Sequence, residues 1–158
     1  MSKNTETVTF STQSAEETIA AGHKIAAKLR PPLLLILRGD LGAGKTTLVK
    51  GIAEAYGAAQ ADEVTSPTFT LLHEFWGTLD GTAGGAQVLL CHLDLYRVDD
   101  ERQLAAIGLD EMPAPESIVL VEWGEKFAAL MARCDGEIVV KSLGGDAREI
   151  TLKLRGQA

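Results

Sequence analysis

The sequence has few cysteines and no long apolar segment. Cys91 and Cys134 are the two cysteines among 158 residues. No stretch reaches the roughly 18 uninterrupted apolar residues that a membrane helix needs, and Met1–Phe10 lacks the basic start and apolar stretch of an export signal. We therefore expect no membrane contact, a cytoplasmic location, and reduced cysteines that serve a structural role and bind no metal.

Basic residues are scarce as well. The chain has 15 lysines and arginines against 22 acidic residues, which gives a formal net charge of -7. Contacts of Lys and Arg with phosphates supply most of the nonspecific affinity for nucleic acids. An acidic chain of this kind is therefore expected to meet a nucleic acid only indirectly, through other proteins.

The size and patterning indicate one α/β domain over residues 1–158. With 46% hydrophobic residues, the chain can bury a core without disulfides or metals. The apolar run Leu33–Leu37 is typical of a strand covered on both faces, and a helical spacing of apolar residues follows it. We predict a P-loop NTPase-like fold with a mixed, mainly parallel sheet flanked by helices, and an antiparallel hairpin that joins Glu137–Ser142 to Glu149–Leu154.

Further elements are predicted from capping residues and periodicity. They are strands at Thr7–Ser11, Thr68–Phe75, Val88–Leu93 and Ile118–Val121, and helices that open at Ser14, after Leu37, at Asp99 and near Lys126.

A phosphate-binding loop is predicted between the apolar strand and the helix that follows. The segment Gly39–Thr46 matches G-x-x-x-x-G-K-[ST] at every fixed position. Such glycines let backbone N–H groups surround phosphate oxygens at a helix N-terminus, while Lys45 reaches the β- and γ-phosphates and Thr46 offers its hydroxyl to Mg²⁺. The expected ligands are ATP and Mg²⁺. The candidate nucleotide-binding residues are Gly39, Asp40, Leu41, Gly42, Ala43, Gly44, Lys45, Thr46 and Thr47.

Two acidic residues at strand ends are candidates for the acid that an NTPase needs to hold the metal or its water. Asp94 ends the run Leu89–Asp94, and Glu122 ends the run Ile118–Glu122. An acid at a strand end is also an ordinary solvated terminus. His92 and Asp94 share a strand face, but we interpret His92 as a structural histidine because no third metal ligand is apparent.

The segment Val64–Thr70 clusters hydroxyl side chains around Pro67, which restricts the backbone. A hydroxyl in such a loop could contact the γ-phosphate or Mg²⁺ and so respond to the state of the nucleotide, and Thr68 is the preferred candidate. The alternative is a strand entry with exposed threonines.

The chain resembles the TsaE (YjeE) family, the ATPases of bacterial tRNA threonylcarbamoyladenosine synthesis. The resemblance covers most of the chain from Leu33 to Trp123. Its matching segments, in family order, are Gly39–Thr46, Thr65–Leu71, His92–Arg97, Gly108–Glu111 and Val121–Trp123.

This resemblance implies a small ATPase that works with the partner proteins that transfer a threonylcarbamoyl group to the adenosine next to the anticodon of certain tRNAs. It implies that Lys45 and Thr46 bind phosphate and Mg²⁺, and that Glu122 is a Mg²⁺ ligand. Asp94 would be a catalytic acid or would hold a metal-bound water. Trp123 would lie near the nucleotide or at a partner surface, although a core position is an equal alternative.

Three other functions were weighed. A GTPase is disfavoured because guanine recognition normally uses Asn-Lys-x-Asp, whereas Asn4 is the one asparagine of the chain. A small-molecule kinase would need a basic lid, and between Arg38 and Arg133 the chain offers only Arg97 and Arg102. A nucleotide-gated adapter, in which hydrolysis only resets the protein, remains compatible with the pattern.

Overall fold

The structure is a computed structural model that describes residues 5–40, 42–58, 64 and 72–155. Its strands are β1 Thr5–Thr12, β2 Leu33–Arg38, β3 Leu72–Thr78, β4 Gln87–Asp94, β5 Ser117–Glu122, β6 Gly136–Gly144 and β7 Ala147–Arg155. Its α-helices are α1 Ala15–Ala26, α2 Lys45–Ala55, α3 Glu101–Ile107 and α4 Ala128–Arg133, with 3-10 turns at Leu109–Glu111 and Gly124–Lys126.

All seven strands form one sheet in the order β1-β7-β6-β2-β5-β4-β3. The four central strands β6, β2, β5 and β4 run parallel, while β1, β7 and β3 pair antiparallel towards the edges. The predicted mixed sheet and the C-terminal hairpin are confirmed, with the parallel part confined to the middle. The carboxyl ends of the central strands therefore meet at one edge of the sheet, where ligands of α/β proteins bind.

The core forms two layers, one on each face of the sheet. Alternate residues of β2 explain this division, because successive side chains on a strand point to opposite faces. Leu33, Leu35 and Leu37 pack into the cluster that contains α1 and α2. Leu34 and Ile36 pack into the cluster that contains α3 and α4. The uninterrupted apolar run is thus a strand buried on both sides, as predicted.

Two glycines let α1 and α2 pack closely against each other. A Cβ added at Gly51 of α2 would lie 2.1 Å from the carbonyl oxygen of Ile19. A Cβ added at Gly22 of α1 would lie 2.7 Å from the carbonyl oxygen of Leu48. The two helix backbones are therefore in direct contact, without side chains between them. This contact fixes the position of α2, the helix whose first residues belong to the predicted phosphate site.

Some element boundaries differ from the sequence prediction. The two prolines Pro31 and Pro32 predict the end of the first helix, but α1 ends at Ala26, where the amide of Lys28 closes a tighter turn onto the carbonyl of Ile25. The helix expected near Lys126 begins at Ala128, because the chain first makes the 3-10 turn Gly124–Lys126. The strand predicted to end at Phe75 continues to Thr78, and the predicted residues before Leu72 lie outside the described residues.

Both cysteines are free and buried. Burial, with a further contribution from the nearby Glu74 carboxylate, raises the pKa of the Cys91 thiol to about 12. Both observations agree with the predicted structural role.

None of the helices found in the described part of the chain combines the length and apolarity needed to cross a membrane.

Candidate nucleotide site

The two predicted acids lie side by side at the carboxyl edge of the sheet. Asp94 is the last residue of β4, Glu122 is the last residue of β5, and the two are directly paired in register. On its other side Glu122 pairs with Leu37 of β2, the strand that leads into the phosphate loop. The register of three parallel strands therefore places Glu122 beside the strand that leads into the loop, with Asp94 one strand further on.

The phosphate loop depends on glycine for its shape. Gly44 precedes α2 with φ 104°, a left-handed conformation that a side chain would strain, and no side chain caps the helix. A Cβ at Gly39 would lie 2.6 Å from the carbonyl oxygen of Val140. The first N–H groups of α2 have no partner within the helix, and its dipole favours anions at this end. This geometry suits phosphate oxygens.

Lys45 is buried and makes three contacts inside the site. Its Nζ donates to the carbonyl oxygen of Gly39 at 2.7 Å and forms an ion pair with Glu122 Oε1 at 3.3 Å. It also lies 4.9 Å from the centroid of the Trp123 ring, within cation–π range. The ammonium group expected to hold phosphates is thus held here by a carboxylate, a carbonyl and an aromatic face.

Glu122 is bound at both carboxylate oxygens. While Oε1 faces Lys45, Oε2 lies 2.5 Å from Nε2 of His92, a fully buried residue of β4. Burial raises the pKa of Glu122, but the hydrogen bond and charge of His92 and the charge of Lys45 more than offset this, so the pKa is lowered overall. Glu122 is therefore held as a carboxylate, the form that binds a cation.

Asp94 is 5% exposed, and its Oδ1 accepts a hydrogen bond from the backbone N–H of Tyr96 at 2.9 Å. This bond fixes the carboxyl group at the end of β4, on the strand next to Glu122. A fixed carboxylate beside a phosphate loop can orient a water molecule or accept its proton.

The oxygen ligands available here fit Mg²⁺. Thr46 is the second residue of α2, and the carboxylates of Glu122 and Asp94 lie at the same edge of the sheet. Within the described ranges, no group of three His, Cys, Asp or Glu side chains is arranged to hold a metal. Mg²⁺ typically uses one or two carboxylates together with substrate phosphates and water, so this site suits a metal that arrives with a nucleotide.

Comparisons with known proteins agree on one family. The family model "Threonylcarbamoyl adenosine biosynthesis protein TsaE" matches residues 12–150. The chain belongs to the TsaE family. It is 40% identical to the tRNA threonylcarbamoyladenosine biosynthesis protein TsaE of Bacillus subtilis, over 92% of this chain and 84% of that protein. It is 34% identical to the protein of the same name from Treponema pallidum, over 89% and 96% of the two chains.

A solved structure gives the same result for the fold. The crystal structure of YdiB from Bacillus subtilis superposes with a TM-score of 0.66 and 33% sequence identity, covering 97% of this chain and 88% of that one. The α/β fold of this chain is thus shared with that protein.

Within this TsaE-family chain, Trp123 is the one non-glycine residue of the described segments with a positive φ, at 64°. A bulky residue rarely adopts this conformation, which the surroundings must enforce. The Trp123 ring contacts Lys45 on one side and packs against Tyr96, with ring centroids 5.2 Å apart, on the other. Trp123 is thus a direct neighbour of the phosphate-loop lysine, and it also borders a cleft of about 600 Å³ beside Gly39 and Gly42.

The predicted site residues separate into two groups. Eight loop and first-turn residues lie together, Lys45 joins them to Glu122, and Asp94 is paired in register with Glu122. These eight are Gly39, Asp40, Gly42, Ala43, Gly44, Lys45, Thr46 and Thr47. Leu41 and Thr68, the remaining two candidates, lie outside the described residues.

Two contacts of the site were missed by sequence reasoning. His92 binds Glu122, and the spacing between these two residues in the sequence matches no recognisable motif. Arg148, on β7, donates to the carbonyl oxygen of Ala43 in the phosphate loop from 105 residues away. Its distance from the loop along the chain hides this contact from any pattern of neighbouring residues.

Proposed function

We propose that this chain is a Mg²⁺-dependent ATPase that supports threonylcarbamoylation of the adenosine next to the anticodon in tRNA, together with the proteins that carry out the transfer. Family membership supports the role in tRNA threonylcarbamoyladenosine biosynthesis. The observation that carries the ATPase proposal is the meeting of Lys45, at the start of α2, with the Glu122 carboxylate at the strand end.

In this proposal the chain acts mainly by positioning. The N–H groups at the start of α2 and the Lys45 ammonium bind the phosphates, so Lys45 exchanges its ion pair with Glu122 for one with the nucleotide. Glu122, held by His92, and the Thr46 hydroxyl would hold Mg²⁺, which would supply positive charge beside the phosphates. Asp94 orients the attacking water and takes up its proton, and the products are ADP and inorganic phosphate.

The partner and localisation proposals follow from the same role. The proteins of the threonylcarbamoyl-transfer complex are the proposed partners. An acidic chain, with a sequence pI near 4.9, would contact tRNA only through them. A protein that acts on this tRNA step is proposed to be cytoplasmic.

A nucleotide-gated adapter is the second candidate, and one observation favours it. Tyr96 is 48% exposed and packs on Trp123, which contacts Lys45. An exposed aromatic ring is thereby linked through one side chain to the residue that would sense phosphate. A partner bound over Tyr96 would respond to whether Lys45 holds Glu122 or a nucleotide.

Asp94→Asn separates the ATPase from the adapter. We expect ATP turnover with Mg²⁺ to fall about 10²–10⁴-fold, the usual contribution of a positioned acid or base, while ATP affinity stays within about threefold. We also expect partner binding to persist and tRNA modification to be lost. The measurements are phosphate release, binding to the purified transfer proteins and modification of tRNA in the reconstituted system.

The wild-type protein should hydrolyse ATP in preference to GTP, slowly alone and faster with the transfer proteins. Asp99→Asn is the matched control, because it makes the same substitution at an exposed aspartate outside the site. tRNA modification that continues at the normal rate with Asp94→Asn would support the adapter and contradict a catalytic Asp94. Absence of turnover by the wild-type protein under every condition would contradict the ATPase proposal.

A further inference from the structure

Arg148 of β7 connects the C-terminal hairpin to the phosphate loop. Its Nε donates to the carbonyl oxygen of Ala43 at 2.6 Å, and its Nη2 lies 3.5 Å from the carbonyl oxygen of Gly42. The remaining nitrogen, Nη1, donates to the carbonyl oxygens of Gly145 and Ala147, both at 2.8 Å. One guanidinium group therefore holds the main chain of the loop to the turn between β6 and β7.

The bond to Ala43 has a consequence for the next amide. In a planar trans peptide the C=O and the N–H point in opposite directions. When the carbonyl of Ala43 points to Arg148, the N–H of Gly44 points away from Arg148. Gly44 has φ 104°, in a region that only glycine adopts readily, and glycine does not by itself fix the orientation of the peptide before it. An external hydrogen bond is what selects one orientation.

We infer that Arg148 is a positioning residue for the phosphate loop. It turns the Ala43–Gly44 peptide so that the Gly44 N–H can donate to a bound phosphate oxygen. The inference rests on the proposed nucleotide site and adds to it a residue that acts through the main chain. A charge-assisted bond of this kind is stronger than one between neutral groups, which suits it to holding a flexible glycine segment.

Arg148 could instead act through its charge alone. It lines a small pocket of about 140 Å³ together with Gly44 and Thr47, close to where a phosphate would bind. A positioning role and a purely electrostatic role predict different effects when Arg148 is replaced by lysine. Lysine keeps the positive charge but has no Nε–H at the position that meets Ala43, and its ammonium cannot bridge the loop and the hairpin turn as the planar fork does.

Arg155 provides a matched control on the same strand. Its guanidinium also donates to main-chain carbonyl oxygens, those of Cys134 at 2.9 Å and Met131 at 3.0 Å, at the end of α4. Arg148→Gln and Arg155→Gln therefore remove the same charge and the same type of contact from one strand. Only the first touches the phosphate loop.

The test measures the binding of inorganic pyrophosphate and of ADP, in the presence of Mg²⁺, by calorimetry. We expect Arg148→Gln to weaken both about tenfold or more, Arg148→Lys to lose most of the same affinity, and Arg155→Gln to remain within twofold of wild type. In ¹⁵N-labelled protein, pyrophosphate should shift the Gly44 amide strongly in the wild type and in Arg155→Gln. That shift should be much smaller in Arg148→Gln.

Three results would overturn the inference while leaving the proposed function standing. These are wild-type affinity in Arg148→Gln, full recovery in Arg148→Lys, and an equal loss in Arg155→Gln with an unchanged Gly44 shift pattern. If the folded wild-type protein bound neither pyrophosphate nor ADP, the proposed nucleotide site itself would fail, and the role of Arg148 with it.

Discussion

Replacing Lys45 with alanine is expected to weaken ATP binding about a hundredfold and to reduce ATP hydrolysis to background. Hydrogen bonds to charged groups contribute about 1.5–3 kcal/mol each, and 1.4 kcal/mol corresponds to a tenfold change in Kd. Loss of two such bonds to the phosphates gives the expected factor. Calorimetric titration with ATP and a phosphate-release assay would measure it. Lys24→Ala, an exposed lysine of α1, is the control and should change neither quantity.

The same variant should also lose stability, because Glu122 stays buried without its ammonium partner. Removing one member of a buried ion pair costs about 3–5 kcal/mol, and the remaining bond to His92 favours the lower end of that range. The pKa of Glu122 is lowered in the folded protein, by His92 and Lys45 against the effect of burial. The contribution of Lys45 is therefore fully present above the ordinary carboxyl pKa near 4.5 and is lost progressively as the pH falls from there through the lowered pKa of the folded state.

Urea unfolding between pH 4 and pH 8 would show this dependence. The stability difference between wild type and Lys45→Ala should be largest at neutral pH and should shrink towards pH 4. The double variant Lys45→Ala/Glu122→Gln should recover stability at neutral pH but not ATP binding, which separates the two effects. ATP affinity within threefold of wild type in Lys45→Ala would contradict the assignment of this lysine.

Replacing Gly51 with valine is expected to destabilise the fold by about 3 kcal/mol. The first added atom would lie 2.1 Å from the carbonyl oxygen of Ile19, a backbone atom that cannot move aside without shifting α1. Overpacking of this kind costs about 1–3 kcal/mol and occasionally more, and a backbone contact belongs at the upper end. For a chain of this size the thermal midpoint should fall by about 6–12 °C.

Gly84→Val is the matched control, because a Cβ at Gly84 meets no atom within 4 Å and its φ is not in the left-handed region. Its unfolding free energy should stay within about 0.5 kcal/mol of wild type. Differential scanning calorimetry of both variants would measure the two changes in thermal midpoint. A Gly51→Val protein as stable as Gly84→Val would show that α1 and α2 can separate without cost.

The sequence predicts those parts of this protein that depend on local pattern. The run Leu33–Leu37, the loop Gly39–Thr46 and the helix after it are adjacent in the chain, so composition and spacing suffice to place them. The acids at Asp94 and Glu122 are also accessible to sequence reasoning, because the carboxyl ends of parallel strands meet at one edge.

Contacts that depend on strand register or strand order were not predicted from the sequence. His92 reaches Glu122 only because β4 and β5 pair with Asp94 beside Glu122, and nothing in either segment specifies that offset. Arg148 reaches Ala43 because β7 lies beyond β6 in the sheet, a feature of the strand order. The positive φ of Trp123 likewise reflects its packing, since tryptophan has no intrinsic preference for that conformation.

The ion pair of Lys45 with Glu122 changes how a triphosphate would enter this site. The lysine already has a counter-ion, so the incoming anion must displace a carboxylate and gains only the difference between two pairings. The displaced carboxylate would then need a new cation, and Mg²⁺ bound to the nucleotide would supply one. Metal and nucleotide would therefore bind cooperatively, because each compensates the charge that the other leaves uncovered. If a nucleotide bound without metal, Glu122 would lose its cation and face the added negative charge of the phosphates. The site is therefore expected to bind the metal–nucleotide complex more tightly than the nucleotide alone.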